Sequence, residues 1–203
     1  MLPVAKRGKA TGAPGEAFAY SNFGYVLLGE ISERASGRDL GDLIRERILA
    51  PLAASDTVYN VKHPIAPSIH GYGTNFRPWS DTWVYWEHSG PDAGVMAPAE
   101  DVLRFIDALT SEDGAFAEIG DRMFEATVES GPRQRQGLGL HARTTSSGVE
   151  LVGHSGDVFG YLSFVYARSD RDAVVFGHVN CDCEDLLVSM IGNVLRAEEA
   201  IDP

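Results

Sequence analysis

Long apolar runs are missing from this chain, and none approaches the roughly 20 residues that a helix needs to cross a bilayer. Residues 1–14 also lack the apolar core of a signal peptide, which leaves the compartment open. Basic residues are scarce, with 17 Lys and Arg against 29 Asp and Glu and a net charge of −12. Nucleic acid and anionic membrane surfaces are held by clustered Lys and Arg, so neither is expected as a partner. Cysteine is scarcer still: Cys181 and Cys183 are too few and too close for a disulfide framework. With His178 they put three soft ligand types within six residues. Structural zinc takes four ligands, and no second pair follows by spacing. The expectation is a strand end and helix cap with unpaired thiols, and no metal.

What is present fits a folded domain, since 203 residues at 44% hydrophobic content can bury one core. The chain is organised around Val149 to Tyr161, where an alternating apolar pattern is interrupted by His154-Ser155-Gly156. Gly153, Gly156 and Gly160 weaken a strand that only has to pack, and suggest that another molecule or backbone comes close. A glycine-rich core strand with a satisfied histidine remains the competing reading. A nucleophile elbow is excluded, because Asp157 stands where its last glycine belongs and strand-like residues follow where a helix is required.

Upstream, Pro14-Gly15 signals a turn, and Ser21 or Asn22 caps a helix carried by Tyr25, Val26, Leu28, Ile31 and Ala35 and closed by Gly37. Tyr20 and Asn22 therefore stand at a helix entrance. A second helix runs from Asp39 through Ile48 to a stop at Pro51. From Pro51 to Asp92 the chain is irregular and aromatic, with Tyr59, Tyr72, Phe76, Trp79, Trp83, Tyr85 and Trp86, and reads either as a binding wall or lid or as aperiodic core. Helices are predicted over about Pro98 to Leu109 and Ala115 to Val128. Strands are predicted over Leu138 to Thr145, Val149 to His154, Val158 to Ala167 and Ala173 to Asn180, before a terminal helix over Glu184 to Ala200. His63, His70, His88 and His141 show no partner pattern and are read as surface or core residues. The order is α+β: about 16–130 mainly helical and looped, about 137–203 an antiparallel sheet with a terminal helix.

Pro14-Gly15-Glu16, Tyr20-Ser21-Asn22 at a helix start, Ala93-Gly94-Val95-Met96 before a helix, Gly137-Leu138-Gly139-Leu140 opening a strand and His154-Ser155-Gly156 on the next occur in an order that resembles serine β-lactamase and penicillin-binding-protein-like hydrolases. The likeness is to the branch of class C β-lactamases, D-Ala-D-Ala carboxypeptidases, D-aminopeptidases and family VIII esterases. It implies the β-lactamase/transpeptidase fold and acyl transfer to water through a serine ester, acting on a D-amino-acid peptide, a β-lactam or a small ester without a cofactor. By the same resemblance Tyr20 is the general acid/base, with a phenol of pKa about 10 in water that needs nearby cations. Asn22 bonds the acyl side of the substrate, His154 replaces a frequent Lys in binding substrate carboxylate, Ser155 and Gly156 line the substrate, and the Asp157 N–H is an oxyanion donor.

The family's nucleophile motif, Ser-x-x-Lys, does not occur: Ser21, Ser32, Ser155 and every other serine lack Lys three positions on. The expectation is a single, incomplete domain over 1–203 whose N-terminal part is missing and which is inactive alone. A shortened reading frame, one half of a split hydrolase and a non-catalytic binding module are the three explanations. Loss of the N-terminal part would leave apolar surface and a sheet edge uncovered, from which self-association of the isolated chain is expected.

Overall fold

The computed structural model describes residues 12–13, 15–16, 18–59, 69–73, 80–82, 90–125, 127–146, 148–158, 160–169 and 173–201. Pro14, most of the leader, His63, His88 and the aromatic residues Phe76, Trp79, Trp83, Tyr85 and Trp86 of the expected wall lie outside them. The α+β class holds.

One antiparallel sheet has six strands, with apolar alternation clearest in β9: β5 (Val128–Gly131), β6 (Gln134–Gln136), β7 (His141–Thr144), β8 (Glu150–Val158), β9 (Tyr161–Arg168) and β10 (Val174–Val179). They pair strictly in sequence order, a meander of short turns. Because successive side chains leave a strand on opposite faces, the alternation splits the core in two. Leu151, Leu162, Phe164, Tyr166 and Val179 meet Leu187, Met190 and Ile191 of the terminal helix Glu184–Ile201. Ala142, Val152 and Ala167 meet Ile106 of the helix Ala99–Thr110 and Met123 and Phe124 of the helix Ala117–Glu125. The sheet is thus a middle layer with helices on both faces.

Several boundaries differ from the sequence reading. The helix expected to reach Val128 ends at Glu125, and β5 and β6 precede the expected first strand. Their hairpin turns at Pro132-Arg133, where Arg133 takes a positive φ of 56°. Gly137-Leu138-Gly139-Leu140 is the turn before β7 rather than its start: Gly139 has φ 82°, and Gly137 N–H donates to Leu140 O at 2.7 Å. Cys181 and Cys183 are joined in a disulfide and are not the unpaired thiols expected. A one-residue spacing disfavours a framework, but the bend between β10 and the terminal helix folds the two side chains toward each other.

The first helix, α1 (Asn22–Ser36), is followed by α2 (Leu40–Ile44), which widens into a π-helical stretch, Arg45–Leu49, before Pro51. The three helices named above against the sheet follow as α3 (Ala99–Thr110), α4 (Ala117–Glu125) and α5 (Glu184–Ile201). Among the short strands, β1 (Val58–Tyr59) pairs with β4 (Val95–Met96), and β2 (Tyr72–Gly73) with β3 (Ser80–Asp81). Buried Gly29 seats α1, since a Cβ there would stand 2.5 Å from Pro91 Cγ.

Gly153 is where β8 presses hardest on β9: a Cβ would lie 1.8 Å from Val165 O and 2.9 Å from Tyr166 Cα. Backbone, unlike a flexible side chain, has no room to yield. Gly153→Ala is expected to lower unfolding free energy by about 1–3 kcal/mol, read as a fall in urea midpoint at unchanged slope. An unchanged midpoint would mean that β8 and β9 are further apart than described.

Candidate active site

Helix α1 starts where it does because Ser21 is extended (φ −150°, ψ 106°) and its Oγ accepts the Gly24 N–H at 3.1 Å. That cap leaves Tyr20 outside the helix, 54% exposed, and Asn22 as the first helical residue. From the sheet, His154 rises at the middle of β8. The two rings are neighbours, with centroids 6.5 Å apart and planes inclined by 42°. Residues separated by most of the chain are thus brought together, as a site requires.

Register decides what lies beside them. Val158 and Tyr161 pair across a two-residue connection, and Glu150 O accepts from Ser169 N–H, so the even-numbered residues of β8 bond toward β9. The odd-numbered ones face β7, as Val149 O accepting from Thr145 N–H shows. But β7 begins at His141, opposite Gly153. Beyond that point no described strand covers β8, and the backbone N–H groups of Ser155 and Asp157 point along an open edge. Ser155 O on this edge accepts from His154 Nδ1 at 2.5 Å. A carbonyl oxygen only accepts, so Nδ1 carries the hydrogen and Nε2 is the nitrogen left to take or give a proton.

Gly156 is exposed between these two residues, with Ser163 Oγ 3.1 Å from where its Cβ would be. Gly153 and Gly160 instead serve close approaches within the protein, the latter to the Tyr72 backbone. The Ser155 hydroxyl partners the Tyr166 phenol, whose pKa burial raises and this bond lowers. Burial raises the Asp157 carboxyl above its usual range, helped by the charges of Asp182 and Glu184. That end of the edge is therefore negative. Tyr25 of α1 has a phenol raised by burial and by Tyr20, and its hydroxyl lies 3.8 Å from where a Gly139 Cβ would stand. Helix α1, the glycine turn before β7 and the edge of β8 thus converge. Among the described residues no group of three or more His, Cys, Asp or Glu is placed to hold a metal ion.

Sequence spacing misses His141. Its ring stands 4.2 Å from that of His154, and its buried Nε2 has no hydrogen-bond partner among the described residues. Counting back across the Thr145 to Val149 turn would have put it opposite Gly153, but only once the register of that turn is known. His70 also has a partner, Asp81 Oδ2 at 2.6 Å from Nδ1.

Burial first, then His154 and Arg143, lower the His141 pKa from 6.5 to about 4. At neutral pH it brings no charge to the site. An unfolded chain takes up a proton at His141 between pH 6.5 and about 4 that the folded chain refuses, so this residue costs stability as pH falls through that window. His141→Gln is expected to flatten the fall of urea midpoint with acid in that interval relative to wild type. Parallel curves would contradict a neutral, half-buried His141.

Comparison with known proteins fits this geometry. A profile of the Beta-lactamase family matches residues 3–188. The D-aminopeptidase of Cereibacter sphaeroides is 29% identical over 210 residues, covering 95% of this chain and 39% of that protein. A D-stereospecific amidohydrolase from Streptomyces sp. superposes with a TM-score of 0.79 at 27% identity, over 89% of this chain and 55% of that one. An octameric penicillin-binding protein homologue from Pyrococcus abyssi gives a TM-score of 0.72 at 26% identity, over 85% and 41%. The chain spans about two fifths of the length of the curated relative. Matched over most of its length, the chain belongs to the Beta-lactamase family.

Proposed function

We propose that these residues form one wall of an acyl-transfer site acting on D-amino-acid amides or short D-peptides. The observation that carries the reading is the pairing of Tyr20 with His154 beside the open edge of β8 at Ser155 to Asp157. A substrate lying along that edge receives backbone hydrogen bonds from Ser155, Gly156 lets it approach, and the Asp157 N–H faces the oxygen that becomes negative in the tetrahedral intermediate. Tyr20 moves the proton between the nucleophile and the leaving amine, with the His154 ring beside it. Asn22, at the start of α1, bonds the acyl side. The negative field of Asp157, Asp182 and Glu184 favours a substrate with a free ammonium over one with a carboxylate. The relatives named as D-aminopeptidase and D-stereospecific amidohydrolase support the same choice.

The serine nucleophile comes from a Ser-x-x-Lys segment that these 203 residues do not contain. The 203 residues alone are therefore expected to give no acyl adduct by intact mass with a penicillin or a nitrophenyl ester, and an adduct at Ser155 or Ser21 would overturn this. That missing motif also favours a second reading, a non-catalytic binding module. With the Ser-x-x-Lys segment joined to the chain, D-amino-acid nitroanilides are expected to be cleaved in preference to L. Tyr20→Phe should then reduce kcat/KM about 10²-fold or more. Unchanged turnover would remove Tyr20 from the mechanism, and no turnover with a folded, complete protein would favour the binding module.

Self-association accompanies either reading. Leu28 and Ile31, one helical turn apart on α1, are 55% and 59% exposed. No helix among the described residues is long and apolar enough to cross a membrane. Sedimentation is expected to find oligomers that Leu28→Lys with Ile31→Lys disperses; a wild-type monomer would contradict this.

A further inference from the structure

Outside the site, the disulfide between Cys181 and Cys183 occupies a telling position. It closes a loop of one intervening residue, Asp182, between β10 and α5. Stabilisation by cross-linking grows with the length of chain enclosed, so a bridge this short adds little to the fold as a whole. Its effect is local, on the direction of the Asp182 backbone.

That backbone holds a neighbouring element. Asp182 N–H donates to Tyr72 O at 3.1 Å, and Tyr72 N–H donates to Asn180 O at 2.9 Å, so the bridged loop clamps β2 from both sides of one residue. Tyr72 in turn covers the β8–β9 turn: a Cβ on Gly160, which has φ 84°, would stand 2.8 to 3.0 Å from Tyr72 C, N and O. The Tyr161 hydroxyl donates to Ile69 O at 3.0 Å, and its ring fills the space a Gly71 side chain would need. The turn so covered follows Asp157 and Val158 directly. A continuous line of contacts runs from the two sulfurs through Tyr72 to the end of the open strand edge.

We propose that Cys181 and Cys183 form a reversible redox latch: oxidised, they fasten β2 over the β8–β9 turn, and reduced, they release it and loosen the edge at Asp157. Neither cysteine is fully buried: Cys181 packs against the core, and Cys183 immediately precedes α5. The reductant is a dithiol. One of its sulfurs, as thiolate, displaces a protein sulfur to give a mixed disulfide, and its second thiolate then displaces the remaining bond. Two electrons pass to the protein, Cys181 and Cys183 each take up a proton, and the reductant leaves as its own disulfide. The latch itself stands on the contacts above, and only its consequence at Asp157 rests on the acyl-transfer reading.

The test uses the 203-residue chain with dithiothreitol as reductant, intact mass after alkylation, and amide exchange by mass spectrometry. Alkylation of both cysteines is expected only after reduction. Exchange at Tyr72 and Asp182 should then rise about tenfold or more, with Cys181→Ser/Cys183→Ser matching the reduced protein and β9 unchanged. Thiols that alkylate without reductant, or identical exchange in both states, would overturn the latch. Loss of protection throughout the sheet would also overturn it, by making the bridge a staple of the fold. None of these readouts needs turnover: if D-amide hydrolysis fails while the exchange difference holds, the acyl-transfer reading falls and the latch stands.

Discussion

The site depends on β8 being longer than its neighbour. β7 begins at His141, and the turn that delays it is fixed by Gly139 at positive φ and by Leu140 O accepting from Gly137 N–H and Gln136 Nε2. Had β7 begun four residues earlier, its backbone would have consumed the N–H groups of Ser155 and Asp157. β8 would then be an interior strand, and His154 a residue among ladder bonds. An unpaired strand edge is a template for further pairing, so another chain or a ligand can complete it.

The second element is the start of α1. Ser21 satisfies one of the donors at the helix entrance, and Gly29 lets the helix sit against Pro91. Together they fix where Tyr20 leaves the helix axis, and so bring its ring to His154. The His154 ring is itself held, with Nδ1 tied to Ser155 O on the same strand and the uncharged His141 ring against it. A histidine whose Nδ1 is engaged offers a ligand its Nε2. Geometry and charge thus come from the strand edge and the helix cap, with the β2–β3 hairpin closing one end.

Much of this was legible from residue order. The Ser21 cap, the Gly37 stop, the α3 face and the alternation in β9 have local causes, and local signals carry them. The strands β5 and β6 did not show, because Val128 to Gln136 is short and polar and its hairpin turns on Arg133 rather than on glycine. His141 and the Cys181 to Cys183 bridge escaped for another reason. Both depend on register or on a bend, which are properties of pairing between segments. Gly153, Gly156 and Gly160 mark close approach in the sequence, and Gly153 and Gly160 meet the protein's own backbone. Only Gly156 faces outward.

The most direct test of the open edge is residue-resolved amide exchange along β8 by NMR. The account predicts alternation beyond His141's partner Gly153: slow exchange at His154, Gly156 and Val158, which bond to β9, and fast exchange at Ser155 and Asp157. Equal protection at all five would mean that the edge is covered, and would contradict the site proposed on it.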